Sequence, residues 1–235
     1  TAVIAANIAS PQTVATAAED TDRYTFVLVH GAWHGGWCWR YVRNWLQDQG
    51  HRVFTPTLTG HGERIHLRNS EVDLNTHIQD IINVIEWEEL KRIILVGHSY
   101  GGMIISGVCD ALRSRIAHAI YLDAAAPKDG DQVVNGRTLE DIKKIFGPLK
   151  DGFLARAPTT TFGIPSDMNE EIEWVQRRLT PQTTGTWLQK ISLPNGGSDG
   201  LPRTFIFCND QSPATGRQAA RIHKFKSDPT WAYEE

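Results

Sequence analysis

Residues 92–97 (RIILVG) form a continuous apolar run, the signature of a strand buried on both faces. The run passes without a linker into Gly97-His98-Ser99-Tyr100-Gly101-Gly102, and residues 101–112 then take helical spacing. A serine placed this way sits on a strained strand-to-helix turn with its hydroxyl clear of the sheet. Glycines two before and two after it leave room for the close strand–helix crossing. A chain built around such a crossing has few options beyond a mainly parallel sheet with helices on its faces.

The rest of the chain follows that plan. Strands are predicted at 24–30, 52–55, 116–122, 203–208 and 230–235, and helices at 37–49, 101–112 and 213–226. A further helix over Leu74, Ile78, Ile81, Ile82 and Ile85 has Asp73 or Asn75 as its cap. Residues 57–68 read as a Gly/His/Thr loop. The β/α alternation gives an α/β fold with a mostly parallel sheet and helices on both faces. Residues 127–200 break the pattern, being polar and Pro/Gly-punctuated, with one helix near 169–179. The expected organisation is a tail over 1–20, a first core part over 21–126, an inserted lid over 127–200, and a second core part over 201–235.

Composition narrows the function classes. The 235 residues are 40% hydrophobic and 22% charged, enough for one large core. A net charge of −3 gives no basic stripe for nucleic acid or an anionic membrane. No apolar run approaches the ~18–20 residues of a membrane span. Three cysteines, Cys38, Cys109 and Cys208, do not make a disulfide scaffold. Cys109 and Cys208 lie in apolar segments and read as small core residues. Residues 1–18 are small and uncharged, like the end of an export signal, so a secreted or periplasmic location is expected, or a cytoplasmic one if the segment is only a tail. The other end stops inside a strand, and a closing loop and helix are expected beyond it.

The loop His30-Gly31-Ala32-Trp33-His34-Gly35-Gly36-Trp37 follows the first strand. In a fold with a G-x-S-x-G turn, this loop and the residue after the serine each offer a backbone N–H to a developing oxyanion. Ala32 and Tyr100 are therefore the candidate donors. His30 and His34 have i, i+4 spacing, which suits a metal on a helix; in a Gly-broken loop it does not, so no metal is expected. His61 and His66 face a similar argument.

FVLVHGAWHGGWCW together with GHSYGG resembles the α/β-hydrolase superfamily, within it the small esterase and hydroxynitrile-lyase group of plant methyl esterases and bacterial carboxylesterase relatives. The resemblance is strong over 24–126 and looser to the end. It implies a Ser–His–Asp triad with Ser99 as nucleophile, no cofactor, and a lid over an apolar pocket. It also implies that Trp33 lines the pocket, that Trp37 and Trp39 pack the following helix, and that Met103 is core. The acid must follow the serine in the chain. Asp123, ending the strand IYLDAAAP, is favoured over Asp210, which follows FIFCND. The resemblance puts the base in a loop after the last strand, where this chain has no histidine; His223 falls in a helical pattern and reads as a surface or packing residue.

The expected activity is hydrolysis of a small hydrophobic carboxylic ester through an acyl-enzyme. Two alternatives stand beside it. One is a hydroxynitrile lyase, which resembles His-Thr where this chain has His30-Gly31. The other is a non-catalytic small-ligand-binding protein on the same frame. The oligomeric state is not legible.

Overall fold

The computed structural model describes residues 23–134, 136–150, 152–155, 157, 162–208 and 216–235. Residues 1–18, expected above to end an export signal, and Asp210 lie outside the described residues.

Six strands form one parallel sheet in the order β2-β1-β3-β4-β7-β8: β1 Thr25–Val29, β2 Arg52–Phe54, β3 Ile93–His98, β4 Ile116–Leu122, β7 Arg203–Ile206 and β8 Ala232–Glu234. The order reverses direction at β1 and β3, the place where open α/β sheets bind ligands beyond their strand ends.

Strand alternation sends side chains to two cores. Val27, Val29, Ile93, Leu95, Ala119, Tyr121 and Phe205 face a large cluster under α2 (Leu74–Trp87), α3 (Gly101–Ala111) and α7 (Gly216–Ser227). Phe205 and Phe225 stack there, with ring centroids 3.9 Å apart. Leu28 and Val96 face the other way, onto Trp39 and Leu46 at the start and end of α1 (Arg40–Asp48). Asp73 caps α2 with a capping box: its side chain accepts from the Thr76 N–H at 2.8 Å.

Two sequence expectations need correction here. The helix predicted over 37–49 divides into a 3-10 turn over Gly36–Trp39 and α1, and two of its apolar residues face outwards: Tyr41 and Trp45 are 62% and 63% exposed, and only Leu46 of α1 is buried. The 57–68 loop contains a 3-10 turn over Gly62–Leu67.

Between β4 and β7 the chain builds α4 (Leu139–Phe146), a two-stranded antiparallel pair β5 (Phe153–Leu154) and β6 (Gln182–Thr183), α5 (Asn169–Arg178) and α6 (Gly185–Leu188). Only α5 is predicted from the sequence. This insert is tied to the core at named points. Buried Asp110 on α3 accepts from the N–H groups of Asn195 and Gly197, both at 2.8 Å. Gln189 Oε1 accepts from the N–H of Leu74 at 2.7 Å and of Asn75 at 3.2 Å, supplying acceptors to the open N-terminus of α2.

Candidate active site

β3 and β4 run in register, Gly97 opposite Tyr121 and His98 opposite Leu122, so Ser99 and Asp123 emerge side by side at the carboxyl edge. Both have left-handed backbones, φ 53° and 41°. For residues with a Cβ that costs about 1–2 kcal/mol each, offset by surrounding bonds. The Ser99 N–H donates to the Leu122 carbonyl at 3.2 Å, and the Ser99 carbonyl accepts from Ala125 at 2.9 Å and Gly102 at 3.1 Å. The motif glycines are obligatory. A Cβ on Gly97 would lie 2.7 Å from the Gly101 carbonyl oxygen, one on Gly101 2.8 Å from that of Val29, and one on Gly102 1.9 Å from that of Ala125. One on Gly31 would make only a tight contact, 3.1 Å from the Ser99 Cβ.

The 30–37 loop lies against this turn. Buried His30 is fixed by two bonds: its Nε2 accepts from the Leu58 N–H at 3.1 Å, and its Nδ1–H donates to the Gly31 carbonyl at 2.8 Å. A carbonyl only accepts, so the proton is on Nδ1. That bond holds the peptide whose other end is the Ala32 N–H. Burial pushes the His30 pKa down to about 3, so the ring stays neutral and keeps this tautomer. Trp33, at φ 64°, is held by the insert: its N–H donates to Gln182 Oε1 at 3.1 Å, and its carbonyl accepts from the Thr180 N–H at 2.9 Å. Among the described residues, neither the Ala32 nor the Tyr100 N–H has an acceptor. Tyr100 also stands at the N-terminus of α3, where unpaired N–H groups and the helix dipole favour negative charge.

Two clefts meet at Ala32, Trp33, Ser99 and Asp123. The larger, about 840 Å³, is walled by His34, Trp37, Phe162, Trp174 and Val175. The smaller, about 430 Å³, is bounded by Met103, Gln132, Trp187, Arg221, Lys224 and Phe225. The structure thus brings together Ser99, Asp123, Ala32, Tyr100 and Trp33 from three separate segments of the sequence. Met103 is buried as expected.

Other assignments change. Trp37 walls the larger cleft, edge-to-face with Trp174 at 5.0 Å, rather than only packing the helix; Trp39 does pack as expected. Cys208 is exposed and lines the same cleft, because its strand ends at Ile206; Cys109 is buried as expected. Asp123 is already partnered. Arg221 on α7 donates to its Oδ1 at 3.2 Å and to the Ala124 carbonyl at 2.7 Å. Arg221 carried no local signal in the sequence, since its partner is 98 residues away. Among the described residues no imidazole is hydrogen-bonded to Ser99.

A second polar feature lies behind the turn. His30, His61 and His77 form a chain of buried rings, with centroids 5.7 and 5.4 Å apart. His77 Nε2–H donates to the Thr59 carbonyl at 3.0 Å, which leaves Nδ1 to accept from the Tyr100 hydroxyl at 3.0 Å. The residue after Ser99 is therefore anchored through its side chain to α2.

The model of the alpha/beta hydrolase family matches residues 26–233. The chain belongs to that family. It is 40% identical over 217 residues to a carbendazim hydrolyzing esterase of Nocardioides sp., covering 88% of each chain. It is 27% identical over 202 residues to methylesterase 9 of Arabidopsis thaliana, covering 79% of each. Among solved structures it is similar in fold to an extracellular alpha/beta-hydrolase from a Paenibacillus species, with TM-score 0.71 and 24% identity, over 89% of this chain and 88% of that one.

Proposed function

We propose that this hydrolase is a serine carboxylic-ester hydrolase acting on small, largely apolar esters. The observation that carries the reading is Ser99 itself: a serine at positive φ, raised between β3 and α3, next to two N–H groups that have no acceptor among the described residues, and open to an aromatic-walled cleft. Ser99 attacks the ester carbonyl, and the N–H groups of Ala32 and Tyr100 receive the oxyanion. The alcohol leaves, and water releases the acyl group. A histidine takes and returns the proton, and an aspartate orients it. The esterase and methylesterase relatives support the same chemistry. The insert, bearing Phe162 and Trp174, acts as the lid of the pocket, and export accounts for the small apolar segment at 1–18.

Asp123 and Asp210 both remain candidates for the acid. Asp123 stays favoured for the resemblance of its strand end, and the Arg221 guanidinium beside its carboxylate gives it a second partner to hold. The lyase reading loses ground at Gly31: a threonine there would press its Cβ against Ser99 and against His98 Nδ1, at 3.1 Å from each. The binding-protein reading is separated from the enzyme by experiment. Its signature is a thermal shift with ester-like ligands and no turnover.

The deciding experiment is Ser99→Ala, assayed with p-nitrophenyl esters of increasing chain length alongside mass spectrometry of the acylated protein. Turnover is expected to fall by at least ~10³-fold with the fold unchanged, and the acyl group to map to Ser99. Retention of more than about a tenth of the turnover would overturn the reading.

A further inference from the structure

Ala32 and Tyr100 sit on segments far apart in the sequence, and both segments lean on a third, residues 57–61. This stretch meets the 30–37 loop at two points. The Leu58 N–H donates to His30 Nε2 at 3.1 Å, and Thr57 Oγ1 accepts from the Gly36 N–H at 2.9 Å. On its other side the Thr59 carbonyl accepts from His77 Nε2 at 3.0 Å, and Nδ1 of the same ring holds the Tyr100 hydroxyl. A shift of Leu58 would turn the His30 ring that fixes the Gly31–Ala32 peptide. A shift of Thr59 would release the ring that fixes Tyr100.

One carboxylate holds this stretch in place. Asp80 lies on α2, its side chain 11% exposed. Its Oδ2 accepts from the Thr59 N–H at 2.7 Å, and its Oδ1 accepts from the Thr59 hydroxyl at 2.8 Å and from Arg64 Nη1 at 3.1 Å. The same Arg64 nitrogen donates to the Thr57 carbonyl at 2.8 Å. Thr57 and Thr59, the two neighbours of Leu58, are thus both tied to Asp80, one through Arg64 and one directly. His77 and Asp80 are three residues apart on α2 and share one helix face. Between them they pair the N–H, the hydroxyl and the carbonyl of Thr59. Bonds to an ionised acceptor are about twice as strong as neutral ones, so this clamp outweighs the single bonds it positions. Asp80, Arg64 and Thr59 line neither cleft at Ser99.

We propose that Asp80 is a positioning residue for the oxyanion site: through residues 57–59 it sets the aim of both the Ala32 and the Tyr100 N–H groups. This rests on the ester-hydrolase reading and adds to it a residue that acts without touching substrate.

The test is Asp80→Asn, assayed with p-nitrophenyl acetate and with phenylboronic acid. Boron takes the Ser99 oxygen and becomes a tetrahedral anion, so its affinity reports the oxyanion site. An amide in place of the carboxylate must turn an NH₂ towards either the Thr59 N–H or Arg64. The expected result is a fall in kcat of ~10–10²-fold, the scale of a misaimed site, with KM changed less than about threefold. Boronate affinity should fall with kcat. Asp73→Ala, which removes the cap of the same helix, should destabilise α2 and leave kcat within about twofold. Thr59→Val, which removes only the hydroxyl bond, should lose part of the turnover, and Thr59→Ser should keep it; this pair decides the matter should Asp80→Asn not fold. Equal kcat in Thr59→Val and Thr59→Ser, a kcat loss in Asp80→Asn no greater than in Asp73→Ala, a rise in KM that accounts for the whole effect, or unchanged boronate affinity would each overturn the proposal. Failure of the native protein to hydrolyse any ester would overturn the ester-hydrolase reading, and this proposal with it; native turnover that these variants leave unchanged overturns the proposal alone.

Discussion

Asp123 stands one strand over from Ser99 with its carboxylate held by Arg221, so the two residues share one edge of the sheet but face different partners. This separates two roles that the sequence leaves merged. A carboxylate at that position can orient an imidazole, or it can fix α7 against the end of β4.

The first prediction uses this difference. If Asp123 is the acid, Asp123→Asn should cost up to ~10⁴ in turnover, the loss seen in one well-studied triad of another fold, with little change in stability. If it is the anchor of α7, Asp123→Asn and Arg221→Gln should lower stability by similar small amounts of about 1 kcal/mol or less, since the pair is partly exposed. Asp210→Asn would then carry the turnover loss. Urea midpoints and kcat for the three variants decide between them. Small losses of turnover from both asparagine variants would point to a third carboxylate.

Gly31→Thr should impair ester hydrolysis by ~10²-fold or more, because its Cβ would crowd the Ser99 Cβ and shift the peptide bearing the Ala32 N–H. Substrate affinity, read as KM with kcat separated, should change less than kcat. Unchanged hydrolysis would mean that this loop does not meet the reacting carbonyl.

The His77–Tyr100 bond should couple α2 to the turn. His77→Phe and Tyr100→Phe each leave a buried polar atom without its partner and should cost about 1–3 kcal/mol in stability. The double variant should cost less than the sum, with a coupling of at least 0.5 kcal/mol by the usual scale of contacting residues. Additivity in chemical denaturation would show that the bond contributes nothing.

Acid should unfold the protein through its buried histidines. His30 and His34 have folded pKa values of about 3 and about 4, against ~6.5 unfolded. Between those limits the unfolded chain binds more protons. The contribution of each neutral ring is therefore complete above pH ~6.5 and is lost as the pH falls towards its folded value, at about 1.4 kcal/mol per pH unit per group. His61 and His77 are shifted the same way by burial. Urea midpoints at pH 7, 6, 5 and 4.5 should fall with a slope of more than one proton. A flat profile over that range would mean that the cluster is hydrated or rearranged.

What was legible in the sequence was local. The run RIILVG, the motif glycines and the Asp73 cap each fix their own backbone within a few residues, and β3, α3 and α2 follow the reading closely. The helix α1 was legible, but its orientation was not. Apolar periodicity names a stripe and not what the stripe meets, and here Tyr41 and Trp45 meet solvent. The insert was least legible because α4, α6 and the β5–β6 pair are short and depend on bonds to distant core residues. The site residues divide in the same way. Ser99, Ala32 and Tyr100 follow from motif and strand order. The Arg221–Asp123 pair and the hold of Asp80 on Thr59 depend on segments brought together only by folding.

The bonds from Gln182 and Thr180 to Trp33, and from Gln189 to the start of α2, restrict how substrate can enter. Lifting residues 180–189 would free the backbone that aims the Ala32 N–H and strip acceptors from a core helix. This part of the insert behaves as a fixed doorpost. The side carrying Phe162 and α5 differs: among the described residues it meets the core through ring faces and the Arg40–Trp174 cation–π pair, contacts that need no fixed register. If the proposed lid opens there, a residue on that side can change how fast substrate turns over without touching the chemistry.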